Sequence, residues 1–354
     1  CDLHAFNPTF MNGVPTVFNR IRKILRDKIA RSPAHVRAMF AAAEWIKQTF
    51  YVRAQLRPRA LFAPLVWLVD EVVFSRIRTE LFGTGLTSII CGGSPLSRDL
   101  QEYLQVVLPG VDIMQGYGMT ETSGAAICMA PGDYAYSTVG FLYPNFEAKL
   151  RDVEELNYST AGPEPCGELL LRGPSVASGY LNRPDDTAAT FTPDGWLCTG
   201  DIAQIAADGH IRIIDRKKNL IKQPCGEYVS LEKVETAYAL SRFVDSICVI
   251  ADNLHDFTVA LVVPNRGCLK EFAAASGTTP DAALADPAFT AAVLADMRGF
   301  EETLSRHERV ARIAVVPDEW TPENDMLTAA LKLKRKAIHA HYRATVDGLF
   351  DGRL

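Results

Sequence analysis

The sequence predicts an α/β protein: part of a large α/β domain with a β-rich lobe, followed by a small, mobile α+β domain. Three successive patterns predict this class. Residues 1–130 alternate helices with short strands that end at glycines, residues 131–217 hold short strands between Gly and Pro turns, and residues 218–354 mix helices with strands. The charged segment 215–218 separates the large domain from the small one, so we expect the hinge there.

The first pattern begins with helices and continues with strands. Apolar residues at helical spacing predict the helices, with Thr16 and Ser97 as expected caps. The segments are helices at 16–30, 34–50 and 97–108 and strands at 86–91 and 111–115. The two strands run into Gly92-Gly93 and Gly116-Tyr117-Gly118, which we expect to be turns. Because ligands of parallel α/β sheets bind at the carboxyl ends of strands, these glycines mark the expected site.

The second and third patterns predict the remaining elements. Short β-rich runs between turn residues are typical of strands, and longer amphipathic runs are typical of helices. In the lobe, the predicted elements are strands at 147–153, 167–172 and 210–215. In the small domain, they are strands at 246–251 and 258–263 and helices at 231–240 and 333–342. The Ala-rich segment 273–295 is predicted to be helical or a loop insertion.

The composition excludes several classes of protein. The net charge of −5, from 37 basic and 42 acidic residues, argues against binding nucleic acid by bulk electrostatics. The eight cysteines form no CxxC motif, which favours reduced thiols in an intracellular compartment over a metal or redox motif. The longest apolar run, 60–69, is too short for a bilayer, which needs about 20 residues.

Glycines and polar residues follow the predicted strand 111–115. Glycines let the backbone approach a ligand closely, Tyr117 offers a stacking face, and Thr120 offers a hydroxyl for a phosphate. Glu121 is a hard oxygen ligand that suits Mg²⁺. The alternative is an ordinary turn between a strand and a helix, with Tyr117 packed in the core.

Asp201 follows a glycine in the segment 196–201. A carboxylate in that position can accept hydrogen bonds from both hydroxyls of a ribose. The alternative is an Asp-based turn before a strand at 202–206. Two further segments, 215–228 and 327–335, are basic, and alone they indicate only a solvated surface and the start of a basic helix.

In this order and spacing, the four segments resemble the adenylate-forming superfamily of acyl-CoA synthetases, peptide-synthetase adenylation domains and luciferase. Residues 194–201, 215–222 and 226–230 look more specifically like the signature of eukaryotic-type long-chain fatty acyl-CoA synthetases. The resemblance implies a two-step reaction. A fatty carboxylate attacks the α-phosphate of ATP to give acyl-AMP and pyrophosphate, and the thiol of coenzyme A then displaces AMP to give a thioester.

The resemblance also implies roles for residues of the large domain. The adenine would be bordered by Gly92, Gly93 and Ser94, and Tyr117 would stack on it. Thr120 would contact the α-phosphate, and Glu121 would hold Mg²⁺. Asp201 would bind the ribose hydroxyls with help from Arg216. The implied partners are therefore a fatty acid, ATP with Mg²⁺, and coenzyme A.

In the small domain, the resemblance implies a lysine that rotation of the domain brings to the active site. Lys218 matches the hinge position, and Lys332 matches the lysine that reaches the substrate carboxylate and the α-phosphate during adenylation. Lys222 and Gly226 match the segment that is presented for thioester formation. Residues 328–330 read Thr-Ala-Ala where Pro or Thr is common in the family, so Lys334 is the alternative to Lys332.

One family feature is missing from residues 1–91. The family's Ser/Thr/Gly-rich phosphate loop with its lysine precedes the adenine segment, and Phe82-Gly83-Thr84-Gly85 is too short and lacks the lysine. We therefore expect a carboxy-terminal portion of a longer enzyme, without most of the acyl tunnel and inactive alone. The alternatives are a non-catalytic remnant that binds adenylate or acyl-CoA, or another adenylate-forming ligase. The terminal Gly352-Arg353-Leu354 loosely resembles a peroxisomal tripeptide, and a chance ending is the alternative.

Overall fold

The computed structural model describes residues 2–54, 61–156, 158–329 and 331–352. The chain divides into two compact units, Cys1–Ile214 and Asp215–Leu354. The predicted boundary, with its hinge at 215–218, lies beside this division. The mobility of the hinge stays a prediction.

The first unit contains seven α-helices and nine strands among its described residues, with one strand crossing into the second unit. The helices are α1 (Asp2–Phe6), α2 (Pro15–Ala30), α3 (Ala34–Lys47), α4 (Ala63–Val69), α5 (Ser75–Phe82), α6 (Arg98–Val107) and α7 (Pro184–Thr190). The strands are β1 (Phe10–Gly13), β2 (Ser88–Cys91), β3 (Asp112–Met119), β4 (Gly124–Cys128), β5 (Phe141–Leu142), β6 (Glu147–Arg151), β7 (Cys166–Arg172), β8 (Leu197–Ile205) and β9 (Ile211–Arg216).

These strands form two sheets. The first has the order β1-β2-β3-β4-β5, in which β1, β2 and β3 run parallel and β4 and β5 run antiparallel. The second has the order β6-β7-β8-β9, and β6, β7 and β8 are antiparallel. The α/β class is confirmed. The lobe predicted for 131–217 contains the second sheet, but β5 within it pairs with β4 of the first.

The core of the first unit lies between the parallel strands and their helices. Ile89 of β2 is fully buried and belongs to one cluster with residues from the five helices α2 to α6, including Phe18, Phe82 and Leu100. The hydroxyl of Ser97 accepts a hydrogen bond from the Leu100 amide at 3.3 Å, which confirms the predicted cap of α6.

Two local predictions were wrong. Helix α2 begins with Pro15 after Val14, so Thr16 lies inside the first turn instead of capping it. The glycines 116–118 lie inside β3 instead of forming a turn. A Cβ atom on Gly118 would lie 2.0 Å from the carbonyl oxygen of Gly124 on β4, so the glycine permits close strand contact.

The second unit is a compact α+β domain. Its strands are β10 (Leu220–Lys222), β11 (Tyr228–Ser230), β12 (Val244–Ile250), β13 (Thr258–Pro264) and β14 (Val310–Val315). Its helices are α8 (Leu231–Tyr238), α9 (Arg266–Ala275), α10 (Pro280–Leu284), α11 (Pro287–Met297), α12 (Arg335–His341) and α13 (Arg343–Asp351). Strand β13 pairs antiparallel with β12 and parallel with β14, and all its residues are buried. The Ala-rich segment is helical, in α9, α10 and α11.

Across both units, none of the helices formed by the described residues is long and apolar enough to cross a membrane.

Candidate active site

Tyr117 and Asp201 lie together in the structure although 84 positions separate them. Tyr117 is on β3 and Asp201 is on β8, so the two sheets each supply one side chain. The Tyr117 hydroxyl donates a hydrogen bond to Asp201 Oδ2 at 2.5 Å. The carboxylate is 5% exposed and the tyrosine is partly buried. A tyrosine ring and a carboxylate fixed to each other are groups that could bind a base and a ribose.

Asp201 is placed by a bulge inside β8, and not by the Asp-based turn that was the alternative interpretation. The register between β7 and β8 shifts between Glu168 and Leu170, and Gly200 has a φ of 70°. Thr199 fixes this bend, because its hydroxyl donates to the Leu169 carbonyl at 2.7 Å and accepts from the Asp201 amide at 3.1 Å. Asp201 therefore lies within β8, where Thr199 holds its backbone amide.

The loop Gly92–Ser94 follows β2 at its carboxyl end. The Gly92 amide donates to the Gly13 carbonyl at 3.0 Å, and a Cβ atom on Gly92 would lie 3.2 Å from the Gly116 carbonyl oxygen. Gly93 has a φ of 83°, which favours glycine. Gly93 and Ser94 are exposed. The structure thus places this loop beside the glycines of β3.

Thr120 and Glu121 begin a 3₁₀ turn, Thr120–Thr122, immediately after β3. Thr120 is exposed, whereas the carboxylate of Glu121 accepts a hydrogen bond from the Tyr180 hydroxyl at 2.5 Å. That hydrogen bond, together with burial, raises the pKa of Tyr180. Sequence reasoning missed Tyr180, because nothing in the local sequence links it to a residue 59 positions earlier.

A metal ion at Glu121 would need ligands from elsewhere. Within the described ranges, the structure has no group of three or more His, Cys, Asp or Glu side chains that could hold a metal. Mg²⁺ usually takes one or two carboxylates and completes its shell with substrate phosphates and water. A single half-buried carboxylate at the end of β3 fits that kind of site.

The basic segment 215–228 starts at the end of β9 with a buried carboxylate. Asp215 is 3% exposed and accepts hydrogen bonds from the Ser230 hydroxyl at 2.5 Å and the Arg216 amide at 2.6 Å. Asn219 donates to Asp215 at 3.3 Å and to Glu232 at 2.9 Å. This segment is therefore more than a solvated surface, because its first residue organises the start of the second unit.

The hairpin of β10 and β11 carries Lys222 and Gly226. Gly226 has a φ of 89°, and its amide donates to the Gln223 carbonyl at 2.9 Å, which closes the turn. Lys222 is exposed, and its ammonium lies 5.4 Å from the centroid of the Tyr228 ring. Lys218, shortly before the hairpin, is exposed as well.

Lys332 lies on a tight loop whose ends pair at Leu327 and Leu333. The Thr328 amide donates to the Lys332 carbonyl at 2.8 Å, and the Lys332 amide donates to the Thr328 hydroxyl at 3.1 Å. The side chain of Lys332 is exposed, whereas Lys334 forms an ion pair with Asp325. Ala330, part of the segment that departs from the family pattern, lies outside the described residues. This geometry favours Lys332 over Lys334 as the cation available to a ligand.

An ion pair fixes the position where this loop enters α12. Arg335 donates two hydrogen bonds to Glu235 of α8, at 2.5 and 2.6 Å, and the Val249 amide donates to the same carboxylate at 2.8 Å. Burial raises the pKa of Glu235 to about 7, against the lowering effect of Arg335. The pair joins residues 100 positions apart and was not predicted from the sequence.

The fold of this chain is similar to about half of an adenylation domain. It superimposes on the adenylation domain of a carboxylate reductase from Mycobacterium chelonae with a TM-score of 0.77 and 28% identity, covering 99% of this chain and 48% of that one. The adenylation domain of carboxylic acid reductase from Segniliparus rugosus, solved with AMP and a carboxylic acid, gives a TM-score of 0.74 at 25% identity, covering 100% of this chain and 48% of that one. Residues 1–181 match the family model described as AMP-binding enzyme. The chain belongs to that family, as its motifs predicted.

Curated relatives point to one branch of the family. The chain is 37% identical to long-chain-fatty-acid–CoA ligase 1 of Schizosaccharomyces pombe, over 99% of this chain and 51% of that protein. It is 36% identical to long-chain-fatty-acid–CoA ligase 4 of Saccharomyces cerevisiae, over 99% of this chain and 49% of that protein. The chain thus spans about half the length of the curated relatives it matches. That this half is the carboxy-terminal one stays a prediction.

Proposed function

We propose that this chain takes part in ATP-dependent ligation of a long-chain fatty acid to coenzyme A through an acyl-adenylate. The observation that carries the proposal is the hydrogen bond between Tyr117 and Asp201, which joins a ring that can stack on adenine to a carboxylate that can accept hydrogen bonds from a ribose. The relatives named above supply the substrate class, since both are long-chain fatty acid ligases.

In the first half-reaction, a carboxylate oxygen of the fatty acid attacks the α-phosphorus of ATP. The bond from that phosphorus to the bridging oxygen breaks, and pyrophosphate leaves. Tyr117 and the Gly92–Ser94 loop hold the adenine, Asp201 accepts from the ribose hydroxyls with help from Arg216, and Thr120 donates to the α-phosphate. Lys332 stabilises the negative charge that gathers on the phosphate and carboxylate oxygens.

Mg²⁺ would be held by Glu121 and the nucleotide phosphates, and when bound it neutralises phosphate charge. The hydrogen bond from Tyr180 holds the Glu121 carboxylate in one orientation. Neither Glu121 nor Lys332 needs to transfer a proton in this step.

In the second half-reaction, the sulfur of coenzyme A attacks the acyl carbon and AMP leaves with the electrons of the broken acyl–oxygen bond. The thiol proton is released to solvent. Lys218 serves as the hinge, and the hairpin with Lys222 and Gly226 serves this step. The exposure of Lys332 and of Lys222 on the hairpin is compatible with a small domain that presents each of them in a different step.

A second candidate function is a non-catalytic module that binds adenylate or acyl-CoA. It is favoured by one sequence observation, the lack of a Ser/Thr/Gly-rich loop with lysine in residues 1–91. The likeness to carboxylate reductase domains supports a further alternative, another adenylate-forming activity.

We propose that the protein lies inside the cell, in the cytosol or peripherally on an organelle membrane. Residues 353–354 of the terminal tripeptide lie outside the described residues.

The test follows pyrophosphate release and acyl-CoA formation with a panel of fatty acids of increasing length, using the polypeptide that the gene encodes. We expect both products with long-chain acids. The isolated 354-residue chain should bind AMP but release no pyrophosphate, because it lacks the donors that hold the leaving group. AMP binding without acyl-CoA formation by the gene-encoded polypeptide would favour the non-catalytic module, and oleate-dependent pyrophosphate release by the isolated chain would contradict the missing-loop interpretation.

A further inference from the structure

A segment between β7 and β8 packs against the turn that carries Glu121. The segment covers residues 173–191 and includes α7. The Ala177 amide donates to the carbonyl of Glu121 at 2.8 Å, and the Ser123 hydroxyl donates to the Ser175 carbonyl at 2.9 Å. Two positions of the turn are therefore held by this segment without use of the Glu121 carboxylate.

The Tyr180 hydroxyl supplies a third bond from the same segment, and this bond acts on the carboxylate itself. The hydroxyl donates to Oε1 of Glu121 at 2.5 Å. A hydrogen bond of this kind fixes the orientation of a carboxylate that ligates a metal. Because Oε1 is engaged by the hydroxyl, Oε2 is the oxygen of Glu121 that we expect a metal to bind.

Tyr180 is held by contacts that do not involve Glu121. Its backbone amide donates to the Thr187 hydroxyl at 2.9 Å, and that hydroxyl donates to the Arg183 carbonyl at 2.9 Å. Its ring meets the ring of Phe191 edge-on, with 5.9 Å between the centroids. The position of Tyr180 is thus set by α7 and by the residues beside it, so Tyr180 can orient the carboxylate instead of following it.

We propose that Tyr180 is a positioning residue that makes Glu121 a ligand through one oxygen and thereby favours Mg²⁺ over Ca²⁺. Mg²⁺ demands near-ideal octahedral geometry, whereas Ca²⁺ takes about six to eight oxygens and often binds both oxygens of one carboxylate. A carboxylate with one oxygen held by a hydroxyl suits Mg²⁺ better. The inference rests on the proposed function, because it takes Glu121 as the metal ligand of the nucleotide site.

The test measures metal binding directly. The gene-encoded polypeptide is kept in excess over α,β-methylene-ATP, which cannot release pyrophosphate. Electron paramagnetic resonance follows Mn²⁺, and its displacement by Mg²⁺ or Ca²⁺ gives the relative affinity of each ion. Tyr180→Phe keeps the ring and removes only the hydroxyl. Tyr136→Phe is the matched control, because its hydroxyl donates to Gln105 at 3.3 Å in the same unit.

The expected result is a change in both the affinity and the choice of metal. Tyr180→Phe should bind Mn²⁺ and Mg²⁺ about tenfold to hundredfold more weakly than wild type, the usual cost of removing the partner of a metal ligand. Ca²⁺ binding should fall less, so the preference for Mg²⁺ over Ca²⁺ should drop by at least about threefold. Tyr136→Phe should keep the wild-type affinities. Nucleotide binding without metal should be the same in all three proteins.

Two results with Tyr180→Phe would overturn the proposal. An unchanged preference between Mg²⁺ and Ca²⁺ would show that the hydroxyl does not select the ion. Weaker binding of the nucleotide without metal would show that the hydroxyl only supports the fold of the site.

Glu121→Gln separates a failure of this inference from a failure of the proposed function. Loss of Mn²⁺ binding in Glu121→Gln, with wild-type behaviour of Tyr180→Phe, would overturn the inference alone. Unchanged Mn²⁺ binding in Glu121→Gln would contradict the metal-binding role of Glu121 in the proposed function, and the inference with it.

Discussion

The two units hold their candidate site residues in opposite ways. In the first unit, Asp201 is 5% exposed and is fixed by a strand bulge and by Tyr117. In the second unit, Lys332 is exposed on a short loop and Lys222 is exposed at the end of strand β10. We expect groups that must be preorganised around a ligand to be held by buried strands, and cations that act in one step only to be exposed. The difference teaches which substitutions should alter binding and which should alter a single chemical step.

The loop of Lys332 is nevertheless anchored. Its backbone closes through Thr328, and Arg335 directly after it is bound by Glu235. The comparison is therefore between Asp201, whose backbone and side chain are both held, and Lys332, whose backbone is held while its side chain is exposed.

Replacing Lys332 tests that contrast most strongly. Lys332→Ala in the gene-encoded polypeptide should lower acyl-AMP formation by about 10²–10³, the usual cost of one preorganised charge contact. Thioester formation from supplied acyl-AMP and coenzyme A should persist. Pyrophosphate release and acyl-CoA formation are measured separately on the same protein.

Lys334→Ala is the matched control, because Lys334 is already paired with Asp325. We expect this variant to keep both half-reactions. Equal loss of both half-reactions in Lys332→Ala would remove the one-step assignment, and loss only in Lys334→Ala would move the role to Lys334.

Removal of the ion pair between Arg335 and Glu235, which anchors the loop of Lys332, should have the next largest effect. Arg335→Ala leaves the Glu235 carboxylate without its cation in a largely buried place, which should destabilise the second unit by about 3 kcal/mol. Chemical denaturation measures this loss. Arg343→Ala, whose side chain is 78% exposed, is the control and should change stability by less than about 0.5 kcal/mol.

The same variant has a defined pH dependence. Burial raises the pKa of Glu235 above its ordinary value, to about 7 in the wild type, and removal of Arg335 should raise it further. A raised pKa in the folded state means that stability is kept at low pH and lost as pH rises through that pKa. The deficit of Arg335→Ala relative to wild type should therefore be nearly constant below about pH 7 and should grow as pH rises above that value. A deficit that shrinks over this range would contradict the role of Glu235.

Local signals predicted much of the fold. Ser97 caps α6, and the predicted strands 246–251 and 258–263 overlap β12 and β13. The glycines 116–118 misled the prediction because the same residue permits both a turn and close strand contact. The sequence cannot distinguish these uses without knowing which strand lies opposite.

The contacts of the candidate site were less predictable. The residue types at Tyr117, Glu121 and Asp201 indicated their chemistry, but their partners depend on strand register and packing across the sheets. No local pattern could link Glu121 to Tyr180, 59 positions away. The exposure of Lys332, by contrast, agrees with the local sequence, since lysine side chains are usually solvated.

Replacing Asp201 tests the residue whose side chain is held in place in the first unit. Asp201→Ala should weaken AMP binding to the 354-residue chain by about tenfold to hundredfold, because hydrogen bonds to a charged group are worth about 1.5–3 kcal/mol. Calorimetric titration with AMP measures the change. Tyr117→Phe keeps the ring and removes only the hydroxyl, so we expect a smaller loss. Unchanged affinity in Asp201→Ala would show that the carboxylate only shapes the bulge.

The smallest effect concerns His210, which holds loops of the first unit together. Its Nδ1 lies 2.9 Å from Asp208 and its Nε2 lies 3.1 Å from Asp133, with the ring of Phe141 beside it. Burial lowers the pKa of His210, but the hydrogen bonds to Asp208 and Asp133 outweigh it, and the pKa is raised from 6.5.

Because the folded pKa of His210 is raised, its contribution to stability is fully present below about pH 6.5 and is lost as pH rises through the folded value. His210→Gln should therefore cost up to about 1 kcal/mol at pH 5.5 and close to nothing at pH 8.5. Denaturation of both proteins across this range measures the difference, in which the titration of Glu235 cancels because both proteins retain it. Hydrogen exchange should place the loss in the first unit around residues 133 and 208. A loss of stability that is constant with pH would assign His210 a packing role against Phe141. A loss located in the second unit would contradict a stabilising role of the His210 contacts with Asp133 and Asp208 in the first unit.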